Sequence, residues 1–232
     1  MCEIRKFERK IQSQFGEAGV ILEVLKRINK IGLVVEIGAG CDYGNCYELA
    51  SQGWETLFVE IDATSFIKLR NKFSHLNNVS CINAAVNRYN INSIIPKHVL
   101  FLSIDIDSND YWIWEALNST PLFVVVEINA AFPPPQKKVM HYDENYVWDG
   151  TNYYGASLSA FYDLAKSKDY ILIGTDSIQL NAYFVHKSVK HLFKEETPES
   201  VWCAPGCHHD TPNWSYPQSN KKMLDLEEIK FR

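Results

Sequence analysis

Residues 33–40 of the chain read Leu-Val-Val-Glu-Ile-Gly-Ala-Gly. Apolar residues that favour β-structure lead into an acid and two glycines, which predicts a buried strand running into a turn tight enough for a ligand to lie against its backbone. The next apolar stretch, residues 56–61, predicts a second strand, and Glu60 lies at its end. A glycine turn after one strand and a carboxylate after the next are typical of nucleotide-type cofactor recognition, because the turn admits the cofactor and the acid accepts hydrogen bonds from ribose hydroxyls.

The glycines of this turn, at positions 38, 40 and 44, do not have the G-x-G-x-x-G spacing of a dinucleotide-binding loop. Glu36 stands before the first glycine, and Asp42 stands between the last two. Two acids beside the loop would repel a pyrophosphate and suit a cationic ligand that carries an amino group. Taken alone, the stretch could also be a glycine turn of some other α/β protein.

The pattern Glu-Ile-Gly-Ala-Gly at positions 36–40 resembles motif I of the class I S-adenosylmethionine-dependent methyltransferases, in which such a loop holds the methionine part of the cofactor. The resemblance implies an α/β, Rossmann-like class I methyltransferase fold: a seven-stranded, mostly parallel sheet with helices on both faces, followed here by an irregular C-terminal extension. It also implies S-adenosyl-L-methionine as cofactor. The cofactor-binding residues implied are Glu36, Gly38, Ala39 and Gly40 for the methionine part, Glu60 and Ile61 for the ribose, Asn83 and Ala84 for the adenine, and Asp105.

Before the first strand, residues 20–28 have apolar side chains at helical spacing and basic residues late, which predicts a helix packed on the sheet. Gln14 and Glu17 precede this helix. They suit the chemistry of a helix start, or a cap over the cofactor pocket as in some methyltransferases that this segment resembles. The sequence leaves both interpretations open.

A second informative stretch is residues 99–112, an apolar strand followed by several acids. Such a strand is buried on both faces in a parallel sheet, and its carboxyl end is the edge where ligands bind. Asp105 and Asp107 share a face by the two-residue period of a strand. Like charges held this close favour a cation, a shared proton or a substrate amine between them, so both are candidate catalytic residues. Asp107, Ser108 or Asn109 is also expected to cap the following helix.

The fifth predicted strand, residues 122–129, ends at the same edge with Glu127 and Asn129. Together with Asp105 or Asp107, these residues resemble the oxygen ligands by which catechol-type and some sugar O-methyltransferases hold magnesium. The resemblance implies Mg²⁺ or another divalent cation bound by Asp105, Glu127 and Asn129, where it would lower the pKa of a bound hydroxyl. A metal-free polar pocket that binds the acceptor directly is the alternative.

From residue 130 the composition changes to consecutive prolines, aromatic residues and acids without periodicity. This predicts a long loop, residues 131–153, that acts as a lid or acceptor-binding insertion over the ligand edge. His141 is the candidate general base, because a hydroxyl acceptor must lose its proton and His titrates near neutrality. A surface histidine without a role is the alternative.

Residues 154–165 restore a helical period, and residues 170–174 and 181–185 predict two closing strands, the last of them antiparallel. Three segments, at 103–112 (Ser-Ile-Asp-Ile-Asp through Tyr-Trp), 154–158 (Tyr-Gly-Ala-Ser-Leu) and 181–185 (Asn-Ala-Tyr-Phe-Val), resemble a bacterial methyltransferase group found in surface-polysaccharide and capsule gene clusters. Ser108 departs from that group, where glycine is expected. The resemblance implies methylation of an oxygen on a small polar acceptor: a sugar hydroxyl, a nucleotide-linked sugar or a phosphoramidate-type capsule modification.

Length and composition limit the other classes. The chain has 232 residues and 46% hydrophobic content, which suit one methyltransferase domain over residues 1–186 and a C-terminal extension over 187–232. A net charge of -5 disfavours a nucleic-acid partner. Because no apolar run could insert into a membrane and no apolar signal segment opens the chain, we expect a cytoplasmic protein. In that compartment the six cysteines, Cys2, Cys41, Cys46, Cys81, Cys203 and Cys207, are expected to be free thiols.

The tail contains Cys203, Cys207, His208 and His209, which could bind zinc, although their spacing fits no common zinc finger. A solvent loop or a flap over the acceptor is the alternative. Residues 212–217 are expected to be irregular and to pack against the lid or a second subunit, which leaves room for a homodimer. Two other functions stay open: a nicotinamide-dependent oxidoreductase on a similar sheet, and a non-catalytic binding protein that kept the methyltransferase fold.

Overall fold

The computed structural model describes residues 2–203 and 216–229, and its centre is a seven-stranded sheet. The strands of the described residues are β1 (Val34–Ile37), β2 (Thr56–Glu60), β3 (Val79–Asn83), β4 (Phe101–Ile104), β5 (Phe123–Glu127), β6 (Lys138–Val139), β7 (Tyr170–Thr175), β8 (Asn181–His186) and β9 (Leu224–Asp225). The sheet has the order β3-β2-β1-β4-β5-β8-β7. Only β8 runs antiparallel to its neighbours in this sheet, β5 and β7. The predicted seven-stranded, mostly parallel sheet with an antiparallel last strand is confirmed.

The inner strands β1, β2, β4 and β5 are buried along their whole length, as near-continuous apolar runs in a parallel sheet should be. Their registers place Ile37 beside Val59 on one side and beside Ile104 on the other. The turns that follow β1, β2 and β4 therefore start at the same level and meet at one edge of the sheet. Ligands bind at this edge in open α/β sheets.

Short helices connect the strands. They are α1 (Glu17–Ile28), α2 (Tyr47–Ser51), α3 (Ala63–Lys72), α4 (Ile91–Ile94), α5 (Asp110–Ala116), α6 (Leu158–Ser167), α7 (Pro198–Val201) and α8 (Leu226–Ile229), with 3₁₀ helices over Glu3–Phe7 and Lys187–Leu192. Side chains fix the starts of α3, α6 and α7: Asp62 accepts a hydrogen bond from the Ser65 amide at 2.7 Å, Ser157 accepts one from the Ala160 amide at 3.3 Å, and Thr197 accepts one from the Ser200 amide at 3.2 Å. The helix predicted over residues 20–28 is present as α1. Among the described residues, no helix combines the length and the apolar character that crossing a bilayer requires.

The lid, residues 131–153, is joined to the C-terminal extension. Strand β6 of the lid pairs with strand β9 of the extension, with Lys138 opposite Asp225 and Val139 opposite Leu224. The Asn152 amide also donates to the carbonyl of Pro217 at 3.0 Å. Leu224 belongs to the same apolar core as the strands of the central sheet. The described parts of the extension therefore fold together with the lid and the sheet.

One of the five cysteines in the described part of the chain is not the free thiol that the sequence predicts. Cys2, Cys41, Cys46 and Cys81 are free thiols, but Cys203 is disulfide-bonded, so the prediction of six free thiols is wrong. The prediction used only the expected compartment, whereas a disulfide depends on which sulfur atoms the fold brings together. The other residues of the predicted zinc site, Cys207, His208 and His209, lie outside the described residues.

Candidate functional site

The turn after β1 needs glycine at its first position. Gly38 has a φ of +80°, and a Cβ on it would lie 1.6 Å from the backbone oxygen of Asp105. The turn therefore lies directly on the backbone that follows β4. Gly40 also has a positive φ, +59°, but a Cβ there would meet nothing nearer than 3.8 Å. Sterics require glycine at position 38, whereas backbone conformation favours it at position 40.

Two buried acids hold this turn in place. The Glu36 carboxylate accepts hydrogen bonds from the backbone amides of Asn45 at 2.6 Å and Cys46 at 2.9 Å. The Glu60 carboxylate accepts from the amides of Gly40 and Asp62, both at 2.7 Å. Burial raises the pKa of Glu36 to about 8, against the opposing effect of its two amide donors. Each acid thus has both oxygens bound to backbone of the glycine turn or its neighbours.

Two adjoining cavities that share Gly38, Asp107 and Trp148 form a cleft over this edge of the sheet, and one of these two halves is largely apolar. It has a volume of about 340 Å³ and extends from Ile37 and Gly38 past Ile61 to Ala84. This is where the sequence places the ribose and adenine. Asn83 instead binds backbone, because its side-chain amide donates to the carbonyls of Glu60 at 2.8 Å and Ile61 at 3.0 Å. Asn83 thus holds the backbone at the end of β2, and Glu60 holds the glycine turn, while Ile61 and Ala84 line the cleft.

The other half of the cleft, about 280 Å³, is acidic. Its lining includes five carboxylates, those of Glu17, Glu36, Asp105, Asp107 and Glu127. No Lys, Arg or His is among the described residues that line it. Gly38, Ala39 and Gly40 form part of the wall. Gln14 reaches it from the segment before α1, and Glu17 reaches it from the first turn of that helix. The pocket-capping interpretation of that segment therefore fits the structure.

Three of the carboxylates converge. One oxygen each of Asp105, Asp107 and Glu127 lies within 4.8 Å of the other two. Burial and then mutual repulsion raise the pKa values of Asp105 and Glu127 well above the ordinary range of carboxyls. Asp107 reaches solvent, yet desolvation by the cleft walls also raises its pKa. Oε2 of Glu127 is buried and has no hydrogen-bond partner.

The turn between β4 and α5 brings Asp105 and Asp107 together. β4 ends at Ile104, and Asp107 has a left-handed backbone, with φ of +55°. The strand periodicity assumed in the prediction does not apply there, although the two carboxylates do meet. Asp110 holds the turn by accepting from the amides of Ile106 at 2.9 Å and Ser108 at 3.0 Å. The prediction of a side-chain cap for the next helix is wrong, because the residue before α5, Asn109, makes no such bond.

The amide side chain beside Glu127 in the acidic half of the cleft is not that of Asn129, the residue predicted there. Asn129 is 1% exposed, and its side-chain amide donates to the carbonyls of Asn152 at 3.0 Å and Tyr154 at 2.8 Å. Asn181 lines the cleft instead, paired opposite Glu127 in the antiparallel register of β5 and β8, with its Oδ1 buried and unpartnered. The motif at 181–185 was a signal for this residue, but its register against β5 was not readable.

The predicted lid contributes residues to the walls of the cleft. Trp148 lines both halves of the cleft, and its ring lies 4.9 Å from that of Tyr216, which the C-terminal extension contributes. Asn109 fixes the lid by donating to the Asp143 carbonyl at 2.8 Å. His141 is exposed and lines neither half. The structure therefore brings Asp105 and Asp107 to the cleft but not the third predicted catalytic residue.

Comparison with known proteins identifies the fold. The chain matches no protein-family model and no curated protein sequence. Among solved structures, magnesium protoporphyrin IX methyltransferase (ChlM) from Synechocystis PCC 6803 with bound SAH aligns over 73% of this chain and 81% of its own, with 12% identity and a TM-score of 0.50. A TehB-like SAM-dependent methyltransferase from Corynebacterium glutamicum aligns over 75% of this chain and 89% of its own, with 12% identity and a TM-score of 0.45. The glycopeptide N-methyltransferase MtfA aligns over 72% and 85%, with 10% identity and a TM-score of 0.46. The chain thus has the Rossmann-like fold of class I methyltransferases.

Proposed function

We propose that the protein is an S-adenosylmethionine-dependent methyltransferase that methylates an oxygen of a small polar acceptor. The observation that carries this proposal is the division of one cleft into an apolar half and an acidic half that share Gly38, Asp107 and Trp148. Adenosine suits the apolar half. The sulfonium and ammonium groups of the methionine part suit carboxylates with no competing cationic side chain in the lining.

The same lining disfavours a nicotinamide dinucleotide. A pyrophosphate beside the glycine turn would lie near Glu17, Glu36 and Asp105, and the described lining residues offer no cationic side chain to balance it. The turn also keeps the glycine spacing that sets it apart from dinucleotide-binding loops. We therefore favour the methyltransferase over the oxidoreductase.

The protein's own residues would place the acceptor and take up its proton. S-adenosylmethionine supplies an already activated methyl group, so most of the rate should come from holding acceptor and methyl in line. Asp105, Asp107 and Glu127 have raised pKa values, so whichever of them is ionised is a stronger base than an ordinary carboxylate. Trp148 and Tyr216 would keep water away from the reacting groups.

The structure offers oxygen ligands suitable for the predicted divalent cation, but the set differs from the predicted one by one residue. Asp105, Asp107 and Glu127 could hold it, whereas the Asn129 amide binds the lid backbone. A cation there would lower the pKa of an acceptor hydroxyl. The metal stays a prediction, as does the acceptor from bacterial surface-polysaccharide biosynthesis, a sugar hydroxyl, a nucleotide-linked sugar or a phosphoramidate-type modification.

The first experiment is calorimetric titration of the protein with S-adenosylhomocysteine, with and without Mg²⁺, and with NADH as the comparison ligand. We expect micromolar binding of S-adenosylhomocysteine and none of NADH. The opposite preference would move the assignment to an oxidoreductase. If S-adenosylhomocysteine binds but Asp105→Ala and Glu127→Ala leave every measurable function intact, the protein is a binding protein that kept the fold.

A further inference from the structure

We propose that the methyl acceptor carries a protonated amino group and that Asp105, Asp107 and Glu127 bind this group. The inference rests on the proposed methyltransferase function and names the acceptor more closely: an amino sugar or another amino alcohol. The amino group serves as the anchor. A neighbouring hydroxyl oxygen takes the methyl group from the sulfonium, which leaves S-adenosylhomocysteine, and the hydroxyl proton passes to the Asp107 carboxylate, which reaches solvent.

The first argument is charge. The five carboxylates of the acidic half exceed what the cofactor can balance, since S-adenosylmethionine has one sulfonium and one ammonium group against its own carboxylate. Glu36 and Glu17 lie on the side of the glycine turn and of α1, and Glu17 has the amide of Phe15 as a donor at 2.8 Å. Asp105, Asp107 and Glu127 make no described hydrogen bond through a side-chain oxygen, so a ligand cation would meet charges that otherwise depend on bound protons and on solvent.

The second argument is the set of unpartnered acceptors. Oε2 of Glu127 and Oδ1 of Asn181 are both buried and have no hydrogen-bond partner among the described residues, and their residues are 7% and 2% exposed. The Asn181 amide nitrogen donates to Asp176 at 3.2 Å, which directs its oxygen away from that acid. A buried acceptor without a donor is costly, and here two of them lie on paired residues of β5 and β8. An ammonium group has three donors and no acceptor, which complements this lining.

The third argument is distance. Three oxygens that all lie within 4.8 Å of one another leave room for a nitrogen about 2.8 Å from each, the length of a charge-assisted N–H···O bond. An ammonium nitrogen can therefore reach all three carboxylates where they stand. A divalent cation would draw the oxygens to about 2.0–2.6 Å from itself, and the Mg²⁺ titration below distinguishes the two ligands.

The fourth argument is the aromatic wall of the acidic half, formed by Trp148 and Tyr216, with the Tyr154 ring packed against both. The Tyr154 and Tyr216 rings lie 5.9 Å apart, and the Trp148 ring is 6.2 Å from Tyr154. Burial, and then the charges of Glu127 and Asp107, raise the pKa of Tyr216, so this wall lies close to the carboxylates. Electron-rich ring faces beside carboxylates are typical of sites for organic cations.

The test uses the full chain saturated with S-adenosylhomocysteine and two matched sets of probes. D-glucosamine is compared with D-glucose and N-acetyl-D-glucosamine, and 2-aminoethanol is compared with ethylene glycol, all by calorimetry near pH 7. We expect each amine to bind at least tenfold more tightly than its neutral partners. Glu127→Gln and Asp107→Asn should remove this preference while S-adenosylhomocysteine still binds.

Asp169→Asn is the matched control, because it removes one exposed carboxylate before β7, at the opposite edge of the sheet, and Asn tolerates the left-handed backbone found there. It should keep the preference for amines. Equal binding of amines and neutral partners, or binding of none, overturns the proposal. Tight Mg²⁺ binding that Glu127→Gln abolishes overturns it in favour of a metal. If S-adenosylhomocysteine itself does not bind, the proposed function fails separately, and the amine titrations are repeated without it.

Discussion

Two pairs of acids lie at the same edge of the sheet and differ in how their oxygens are used. Glu36 and Glu60 each have both carboxylate oxygens bound to backbone amides. Asp105 and Glu127 have no such donors, and Oε2 of Glu127 is buried without any partner. The comparison teaches that buried acids can play opposite parts within one cleft: the first pair builds the turn, and the second pair is available to a ligand.

The physical basis of this difference is desolvation. A buried carboxylate without donors loses its hydration and gains nothing in return, so it raises its pKa or binds a cation. A carboxylate that accepts two amide bonds recovers part of that free energy within the protein. The two pairs should therefore respond differently to mutation.

The largest effect should come from breaking the turn that the first pair supports. Gly38→Ala places a methyl group 1.6 Å from the carbonyl oxygen of Asp105, at a residue whose φ is +80°. We expect unfolding to become easier by about 3 kcal/mol or more, together with loss of S-adenosylhomocysteine binding. Urea denaturation and calorimetry measure the two effects.

Gly53→Ala is the control for backbone strain, since Gly53 has a φ of +87° but open space around the added methyl group. It should cost only about 1 kcal/mol and leave ligand binding unchanged. Similar losses in both variants would contradict the close contact between Gly38 and Asp105.

The next prediction compares the two pairs directly. Above pH 8, where Glu36 is ionised, Glu36→Gln replaces one acceptor oxygen by an NH₂ group that faces a backbone donor, so stability at pH 9 should fall by about 1–3 kcal/mol. Glu127→Gln removes repulsion among the acids and should leave thermal stability equal or higher, while methyl transfer falls by about 100-fold. Thermal melts and turnover of S-adenosylmethionine measure the two effects. Equal destabilisation by both variants would remove the distinction between the pairs.

A third prediction concerns pH. Burial raises the pKa of both Glu36 and Asp176 to about 8, so the native state retains protons that the unfolded state releases near pH 4. Because the native state binds more protons over this window, the free energy of unfolding should fall as pH rises from 6 to 8, by about 2 kcal/mol per carboxyl group. Urea denaturation at pH 6, 7 and 8 tests the sign. Stability that is flat or rising over this range would show that these acids are ionised in the native state.

The smallest effect is expected at His141. The side chain is exposed and lies outside both halves of the cleft, so His141→Ala should change turnover by less than about twofold. His75→Ala is a suitable comparison at another histidine that does not line the cleft. A drop of about 100-fold in the His141 variant alone would restore this residue as the general base and imply that the lid moves during turnover.

Much of this site followed from local patterns. The strand and glycine turn at residues 33–40 and the acids after β4 and β5 were predictable, because each depends on a few neighbouring residues and on the rule that parallel strands end at one edge. The partners of Asn129 and the position of Asn181 were not predictable, since they depend on the register of β8 against β5 and on the path of the lid. The sequence predicted that residues 212–217 pack against the lid or a second subunit, but not that Tyr216 lines the cleft, because that position depends on how a distant part of the chain folds back.

The sequence by itself determined the order of strands and helices, the glycine at position 38 and the accumulation of acids at one edge of the sheet. The tertiary structure decided which of those acids are satisfied. Glu36 and Asp105 look alike as acids at strand ends, but the amides of Asn45 and Cys46 point at the first and no donor meets the second. Hydrogen-bond satisfaction depends on the three-dimensional positions of donors that are distant in sequence, and no local pattern contains that information.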